Sequence, residues 1–407
     1  MGIFPRKKRS IEATPVVKQP ASGTRKSRRQ VNPTTETTPL DVARWFVQEN
    51  AQKLPDGLVR SLLGALRSRD VATIRRLAAE YDVPQLYAHP HDYHVVAQAF
   101  SLLSKVPYPF GGGDEERKRE ALRKFHLSEK LCRITSRRMR HYWANPNREN
   151  PVMRVILTRA RALIDGVLGS VDTALPAVVE RSRFGPGMTF CSSDSARTTP
   201  YYKLGSSSWS VTPRCRPYAT LAVLSSPEWV RLHGEIVWGE TSTVGLPWND
   251  VTSCRLTFVP KDERTFRTIA IEPFGNVLMQ LGVHEYLVNR LRTHAGIDIR
   301  SQEWNQRAAR RGSEDWLKED SLSTIDLSMA SDCVSPGLVE RLVRPQWRGL
   351  LDDLRAHSYV HEGVESPLSK WSSMGNGYTF ALETLLFWAM AQSCEEFIGS
   401  SVRALAY

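Results

Sequence analysis

The feature that most limits what this chain can fold into is a change in its apolar period. From Leu40 to about Ser170 the large apolar residues return at helical spacing: Leu58 and Val59, Leu62 and Leu63, Leu66, then Ile74 and Leu77. Residues three and four apart share one helix face, so this spacing predicts amphipathic helices packed on one another. Ser101 to Lys105 closes one helical stretch before Pro107 and the run Gly111 to Gly113 break it. A long charged helix from Asp114 to about Tyr142 and another from about Met153 to Leu168 follow. Between about Ser182 and Arg255 the texture turns to Ser, Thr, Pro and Gly with short β-branched runs, which predicts mainly loops and strands. Leu256 to Val259 and Arg267 to Ile271 read as strands either side of a charged turn, and Phe274 to about Arg292 as a helix. Ser323 to Asp326 reads as a short buried strand, Asn376 to about Phe397 as a helix, and Val402 to Tyr407 as the start of a final strand. Helices mixed with a small, mostly antiparallel sheet make the expected fold class α+β.

Charge narrows the partner. The net charge of +12 over 407 residues points to a polyanion. It is uneven: the first 40 residues hold nine Lys and Arg against Glu12 and Glu36, so about half the excess sits in one short stretch. Residues 1–38 are rich in Pro, Ser and Thr and poor in large apolar side chains, which predicts a disordered basic tail. An RNA-tethering arm, a nuclear-localisation signal at Arg6 to Arg9 and a solubilising tail all fit that composition. The six cysteines are scattered at no zinc-ligand spacing and read as reduced, mostly buried small apolar residues. No run approaches the roughly 18 apolar residues of a membrane helix. No apolar signal-peptide core follows Met1, so the expected setting is intracellular with no membrane partner.

Three short segments carry candidate chemistry. Thr324-Ile325-Asp326-Leu327-Ser328-Met329-Ala330-Ser331-Asp332 reads as an apolar strand ending in a carboxylate. An aspartate in that position can hold a hard divalent cation, and Asp332 on the following turn can cap a helix or meet a ribose. Taken alone, an Asp at a strand end is more often a turn residue. Ser372-Ser373-Met374-Gly375-Asn376-Gly377-Tyr378-Thr379-Phe380 is a glycine loop feeding a helix, which lets backbone approach a ligand closely. An ordinary capped helix start explains it equally well. In Pro260-Lys261-Asp262-Glu263-Arg264-Thr265-Phe266-Arg267, three cations on a hairpin turn can line a passage for phosphates, although charged turns are usually only solvated.

In this order the segments resemble the replicase of the leviviruses, small positive-strand RNA bacteriophages. The marks are Val259-Pro260-Lys261, Ile269-Ala270-Ile271-Glu272-Pro273, Asn305-Gln306-Arg307, Asp326-Leu327-Ser328 with Ala330-Ser331-Asp332, and the string Ser372 to Phe380 with Leu382-Glu383. Weaker matches lie at Lys124-Phe125, Glu129, Cys132, Thr135 and Phe184-Gly185-Pro186-Gly187, so the likeness covers roughly residues 90–407. The resemblance implies a right-hand polymerase: helical and fingers residues 39–257, fingers with the basic motif 258–320, and a partial palm 321–407. It implies that Asp326 is catalytic and binds Mg2+ in a two-ion site. Lys261, Arg264 and Arg267 would guide the nucleoside triphosphate, while Asp332, Ser373, Gly375 and Asn376 would meet the incoming ribose and the template-primer pair. RNA template and product are the implied partners, with host translation factors as candidate subunits, in the cytoplasm of a bacterial host.

Two departures bear on that expectation. The Asp326 to Asp332 spacing is one residue longer than in many other positive-strand polymerases. The family's Tyr-Gly-Asp-Asp motif supplies further metal ligands, yet Gly-Asp-Asp occurs nowhere in the 407 residues and no thumb follows. The expectation is therefore a truncated RNA-directed RNA polymerase, inactive alone. The alternatives are a non-catalytic basic RNA-binding fragment and one half of a split polymerase. A reverse transcriptase shares the palm plan, and the Met374 to Phe380 string argues against it.

Overall fold

The computed structural model describes residues 39–400 and 403–406, apart from the short segments 84–87, 106–112, 192–197, 200–201, 204, 234, 238–242, 263 and 315–321. The basic tail, Pro107, Gly111, Gly112, Glu263, Val402 and Tyr407 lie outside the described residues.

The first four helices are α1 (Pro39–Glu49), α2 (Asp56–Ser68), α3 (Val71–Tyr81) and α4 (Pro90–Leu103). They close a core of their own around Val47, Leu58, Leu62, Leu66, Ile74, Leu77, Val96 and Leu103. The residues that set the helical period are those that go inside, and each fully buried Leu or Ile contributes roughly 2 kcal/mol. Asp70 starts α3 as an N-cap: its carboxylate accepts the Thr73 N–H at 3.0 Å and the Thr73 hydroxyl at 2.6 Å.

The long α5 (Asp114–Ala144) opens on Asp114, Glu115 and Glu116, where the helix dipole favours acids. It is followed by α6 (Pro151–Leu168), capped by Asn150, and α7 (Val171–Glu180), capped by Ser170. The region expected to be loops and strands contains β1 (Trp209–Val211), α8 (Arg216–Leu224), α9 (Pro227–His233), β2 (Glu235–Val237), β3 (Thr243–Gly245) and β4 (Trp248–Asp250). The two helices correct the sequence reading. Each begins on a turn with Pro at or beside its first residue, so the prolines taken for loop punctuation mark helix starts.

The central sheet has four strands in the order β6-β5-β7-β8. Strands β5 (Ser253–Pro260) and β6 (Phe266–Ile271) form the hairpin read from the sequence, with Val259 opposite Arg267. Strand β5 also pairs in parallel with β7 (Ser358–His361), which turns back antiparallel into β8 (Val364–Pro367). The sheet is therefore mixed.

Helix α10 (Phe274–Arg290) follows β6 and runs into a π-helical turn, Leu291–Ala295. Then come α11 (Glu303–Glu314), α12 (Pro336–Leu342), α13 (Pro345–Asp353) and α14 (Thr379–Phe397). The largest core joins α6, α7, α10, α12, α13 and α14 through Ile164, Val178, Met279, Val339, Leu351, Leu382 and Leu386. Helix α14 is buried on most sides from Thr379 to Ala389, whereas its last turns, with Cys394, Glu396 and Phe397, are exposed.

Two strand readings are overturned. Ser323 to Asp326 is neither buried nor a strand: Leu322 to Leu327 carries no ladder, and Ile325 is 82% exposed. An isolated extended run without a partner strand leaves its backbone groups to solvent. Arg403 to Ala406 are likewise unpaired as strand. They are held instead by side chains: the Ala404 N–H donates to Gln392 at 3.1 Å, and the Arg403 guanidinium to the Ala295 carbonyl. The six thiols are all free, but only Cys132, Cys215 and Cys254 are buried; Cys333 is intermediate, and Cys191 and Cys394 are exposed.

Candidate functional site

The β5–β6 turn is shaped by Asp262. Its Oδ1 accepts the N–H groups of Arg264 and Thr265, each at 2.9 Å, and so folds the chain back locally. Thr265 and Phe266 turn inward, with the Arg117 guanidinium 5.1 Å from the Phe266 ring centre. Lys261, Arg264 and Arg267 stay exposed. The hairpin thus brings all three expected cations to one end of the sheet.

At the other end of the same hairpin sits the glycine loop. The Ala270 N–H donates to the Met374 carbonyl at 2.8 Å. Gly375 follows at φ +111°, where a Cβ would lie 2.2 Å from the Ala270 carbonyl oxygen, so backbone packs directly on backbone there. The loop is then closed by its own polar groups. The Asn376 N–H and the Thr379 hydroxyl both donate to the Ser373 carbonyl, and the Gly377 N–H donates to Gln280 Oε1 at 2.9 Å.

Beneath the loop lies Glu272, only 3% exposed. It accepts from Asn376 Nδ2 at 3.4 Å and from the Ala356 N–H at 3.2 Å. Burial pushes its carboxyl up to about 7 against these hydrogen bonds and the nearby Arg355 charge. Ser373 and Asn376, expected to face a ligand, are themselves 3% and 5% exposed. Their visible work is to hold the loop, although the Ser372 and Ser373 hydroxyls are buried with no hydrogen-bond partner among the described residues.

The two aspartates part company. Asp326 is exposed on the unpaired run before Met329, whose φ of +56° turns the chain into the 3-10 turn Ala330–Asp332. Asp332 does not cap the next helix; Ser335 does, accepting the Leu338 N–H. Asp332 instead accepts from Lys370 Nζ at 3.0 Å. Beside it Glu383 hydrogen-bonds to Ser331, and burial pushes its carboxyl up to about 7, with the Asp332 charge adding to the shift.

Glu272, Lys370 and Glu383 are the polar residues whose part the sequence hid. Each sits in a buried network, and nothing in its neighbours' spacing distinguishes it from a solvated charge. The nearest sequence signal was the placing of Glu272 and Glu383 inside recognised strings.

A two-ion site needs several oxygen ligands. Among the described residues no three His, Cys, Asp or Glu side chains converge, so Asp326 offers one exposed carboxylate and not a complete metal site.

The fold and site define a helix-rich α+β chain in which one hairpin joins an exposed basic turn to a buried glycine loop. Residues 56–405 match the family described as RNA replicase, beta-chain, and the chain belongs to that family. It is similar to the RNA-directed RNA polymerase subunit beta of Escherichia virus Qbeta, 32% identical over 314 residues, covering 77% of this chain and 49% of the relative. The RNA-directed RNA polymerase beta chain of Enterobacteria phage fr is 33% identical over 310 residues, 75% of this chain and 53% of the relative. A shorter match, 49% identical over 155 residues, is to the RNA-directed RNA polymerase subunit beta of Enterobacteria phage SP, covering 37% of this chain and 26% of the relative. The chain spans about half the length of the curated relatives it matches over most of its own length. Among the described residues no single helix is long and apolar enough to cross a membrane.

Proposed function

We propose that this chain takes part in RNA-templated RNA synthesis, holding an RNA template and the ribonucleoside triphosphate that pairs with it, in the cytoplasm of a bacterial host. The observation that carries the reading is the replicase family match over residues 56–405. The shared hairpin supports it, since it ties the basic turn to the glycine loop through the Ala270–Met374 hydrogen bond. In this reading residues 39–257 are a helical and fingers region, 258–320 the fingers with the basic motif, and 321–407 a partial palm of a right-hand polymerase.

Phosphoryl transfer asks a protein chiefly for positioning and charge neutralisation. Lys261, Arg264 and Arg267 neutralise triphosphate and template phosphates, and Asp332 accepts a hydrogen bond from the incoming ribose. The rigid Ser373 to Asn376 loop fixes where the paired base stops. Asp326 would supply one oxygen ligand to magnesium, and the ion, when bound, would offer charge stabilisation at the reacting phosphate. Host translation factors as subunits rest on the levivirus resemblance alone.

A second reading is an RNA-binding chain without catalysis; it is favoured by one observation, that no three metal-ligating side chains converge among the described residues, Asp326 included. Retention of labelled ribonucleoside triphosphates on an RNA template of known sequence separates the two. Retention of the nucleotide that pairs with the template supports the polymerase reading. Tight RNA binding with no template-matched retention of a nucleotide supports the binding protein.

A further inference from the structure

Lys370 is fully buried, yet its ammonium meets polar groups on several sides. Nζ donates to Asp332 Oδ1 at 3.0 Å and to Ser128 Oγ at 2.9 Å, and lies 3.7 Å from Glu129 Oε1. The Phe125 ring centre is 3.7 Å away on another side. Glu129 in turn accepts the N–H of Ser369, next to the lysine in the chain. A cation without solvent is tolerated only while its carboxylate partners face it. The lysine therefore locks three separate stretches together: α5, the Ala330–Asp332 turn, and the segment that enters the glycine loop.

The turn is gripped from other directions as well. The Cys132 thiol donates to the Asp332 carbonyl at 3.5 Å, and Ser331 bonds to Glu383 on α14. Asp332 keeps 18% of its side chain exposed, so one carboxylate oxygen is tied down by Lys370 while part of the group still reaches solvent.

We propose that Lys370 is a positioning residue for nucleotide selection: by holding one oxygen of Asp332, it aims the carboxylate at the ribose hydroxyls of the incoming triphosphate and sets a preference for ribo- over deoxyribonucleotides. Lys370 lies three residues before Ser373, so one buried cation registers the ribose-sensing carboxylate against the glycine loop. The inference rests on the ribose role proposed above for Asp332, and the test keeps the two apart.

The test uses the 407-residue chain bound to an RNA template-primer with a templating cytosine, and measures competition between GTP and dGTP. Wild type prefers GTP by about tenfold, the worth of one hydrogen bond to a charged acceptor. Asp332→Asn loses that preference. Lys370→Met alone would leave buried Glu129 and half-buried Asp332 without their cation, so it is paired with Glu129→Gln, which preserves the charge balance of the cluster. The double variant shows a preference below about twofold with unchanged dGTP affinity, and Lys370→Arg retains most of the wild-type ratio.

Hydrogen exchange gives an independent readout. The amides of Asp332 and Cys333 donate to Met329 and Ala330 at 3.0 and 3.1 Å, and they exchange faster in the double variant while α5 stays protected. If Asp332→Asn keeps the preference, the ribose role of Asp332 is wrong whatever Lys370 does. If Asp332→Asn loses it while the double variant keeps it, the positioning role is overturned. Turn amides protected as in wild type overturn it equally, whatever the size of the nucleotide preference.

Discussion

Asn376 Nδ2 lies 3.4 Å from Glu272 Oε1, so the glycine loop rests on a carboxyl that is almost completely buried. The contact joins the end of β6 to the start of α14, two stretches far apart in the chain. It also makes the loop's support depend on the protonation of a single group.

Stability should therefore fall as pH rises through neutrality. Burial raises Glu272 from the ordinary 4.5 to about 7, so the folded state holds the proton more tightly than the unfolded chain. Its contribution is complete below pH 4.5 and is lost as pH rises through 7, a change on the order of 3 kcal/mol. Glu383, also raised to about 7 by burial, acts in the same sense. Urea unfolding at pH 5 and pH 8 should show a smaller difference in Glu272→Gln than in wild type, and smaller still with Glu383→Gln added. Identical pH slopes in all three proteins would contradict the account.

Gly375→Ala should be severe and Gly363→Ala mild. Both positions have positive φ, but a Cβ at Gly375 meets the Ala270 carbonyl, whereas nothing lies within 4 Å of one at Gly363 in the β7–β8 turn. We expect losses of about 3 kcal/mol or more at Gly375 and about 1 kcal/mol at Gly363, read from denaturant midpoints at constant slope. Equal losses at the two positions would remove the close packing of the loop on β6 as a cause.

The basic turn should bear on RNA and not on folding. Lys261, Arg264 and Arg267 are exposed, so replacing each by Ala should move stability by less than about 0.5 kcal/mol. The slope of log affinity against log salt for a single-stranded RNA should drop by about 0.7 for each phosphate that the variant leaves unneutralised. Deleting residues 1–38 should flatten the slope further if that tail binds phosphate. A slope untouched by the three substitutions would leave the turn as solvated charge.

Much of the architecture was legible because periodicity reports burial. Leu58, Leu62 and Leu66 set the helical period and are the residues found inside α2. The long charged helix ends at Ala144, close to the expected Tyr142, and the β5–β6 hairpin lies where its two runs placed it. What the sequence could not reveal was pairing over distance. The parallel match of Ser253 with Ser358 leaves no local mark, and β7 and β8 went unread. Asp326 was misplaced in a buried strand because Thr324 and Ile325 have strand propensity, and propensity does not supply a partner strand. The cations at Lys261, Arg264 and Arg267 were found as a group because one turn holds them. Lys370 was not, because a lysine between Ser369 and Trp371 looks solvated until α5 and the Asp332 turn close over it.

The central claim, recognition of a triphosphate against an RNA template, is tested most directly by measuring which of the four ribonucleoside triphosphates the chain retains on a template of known sequence. With magnesium present, the account predicts that the complementary nucleotide binds at least about tenfold more tightly than the others. Asp326→Ala should abolish the magnesium dependence while leaving RNA affinity within about twofold. Indiscriminate binding of all four nucleotides, or an Asp326→Ala variant indistinguishable from wild type, would contradict it.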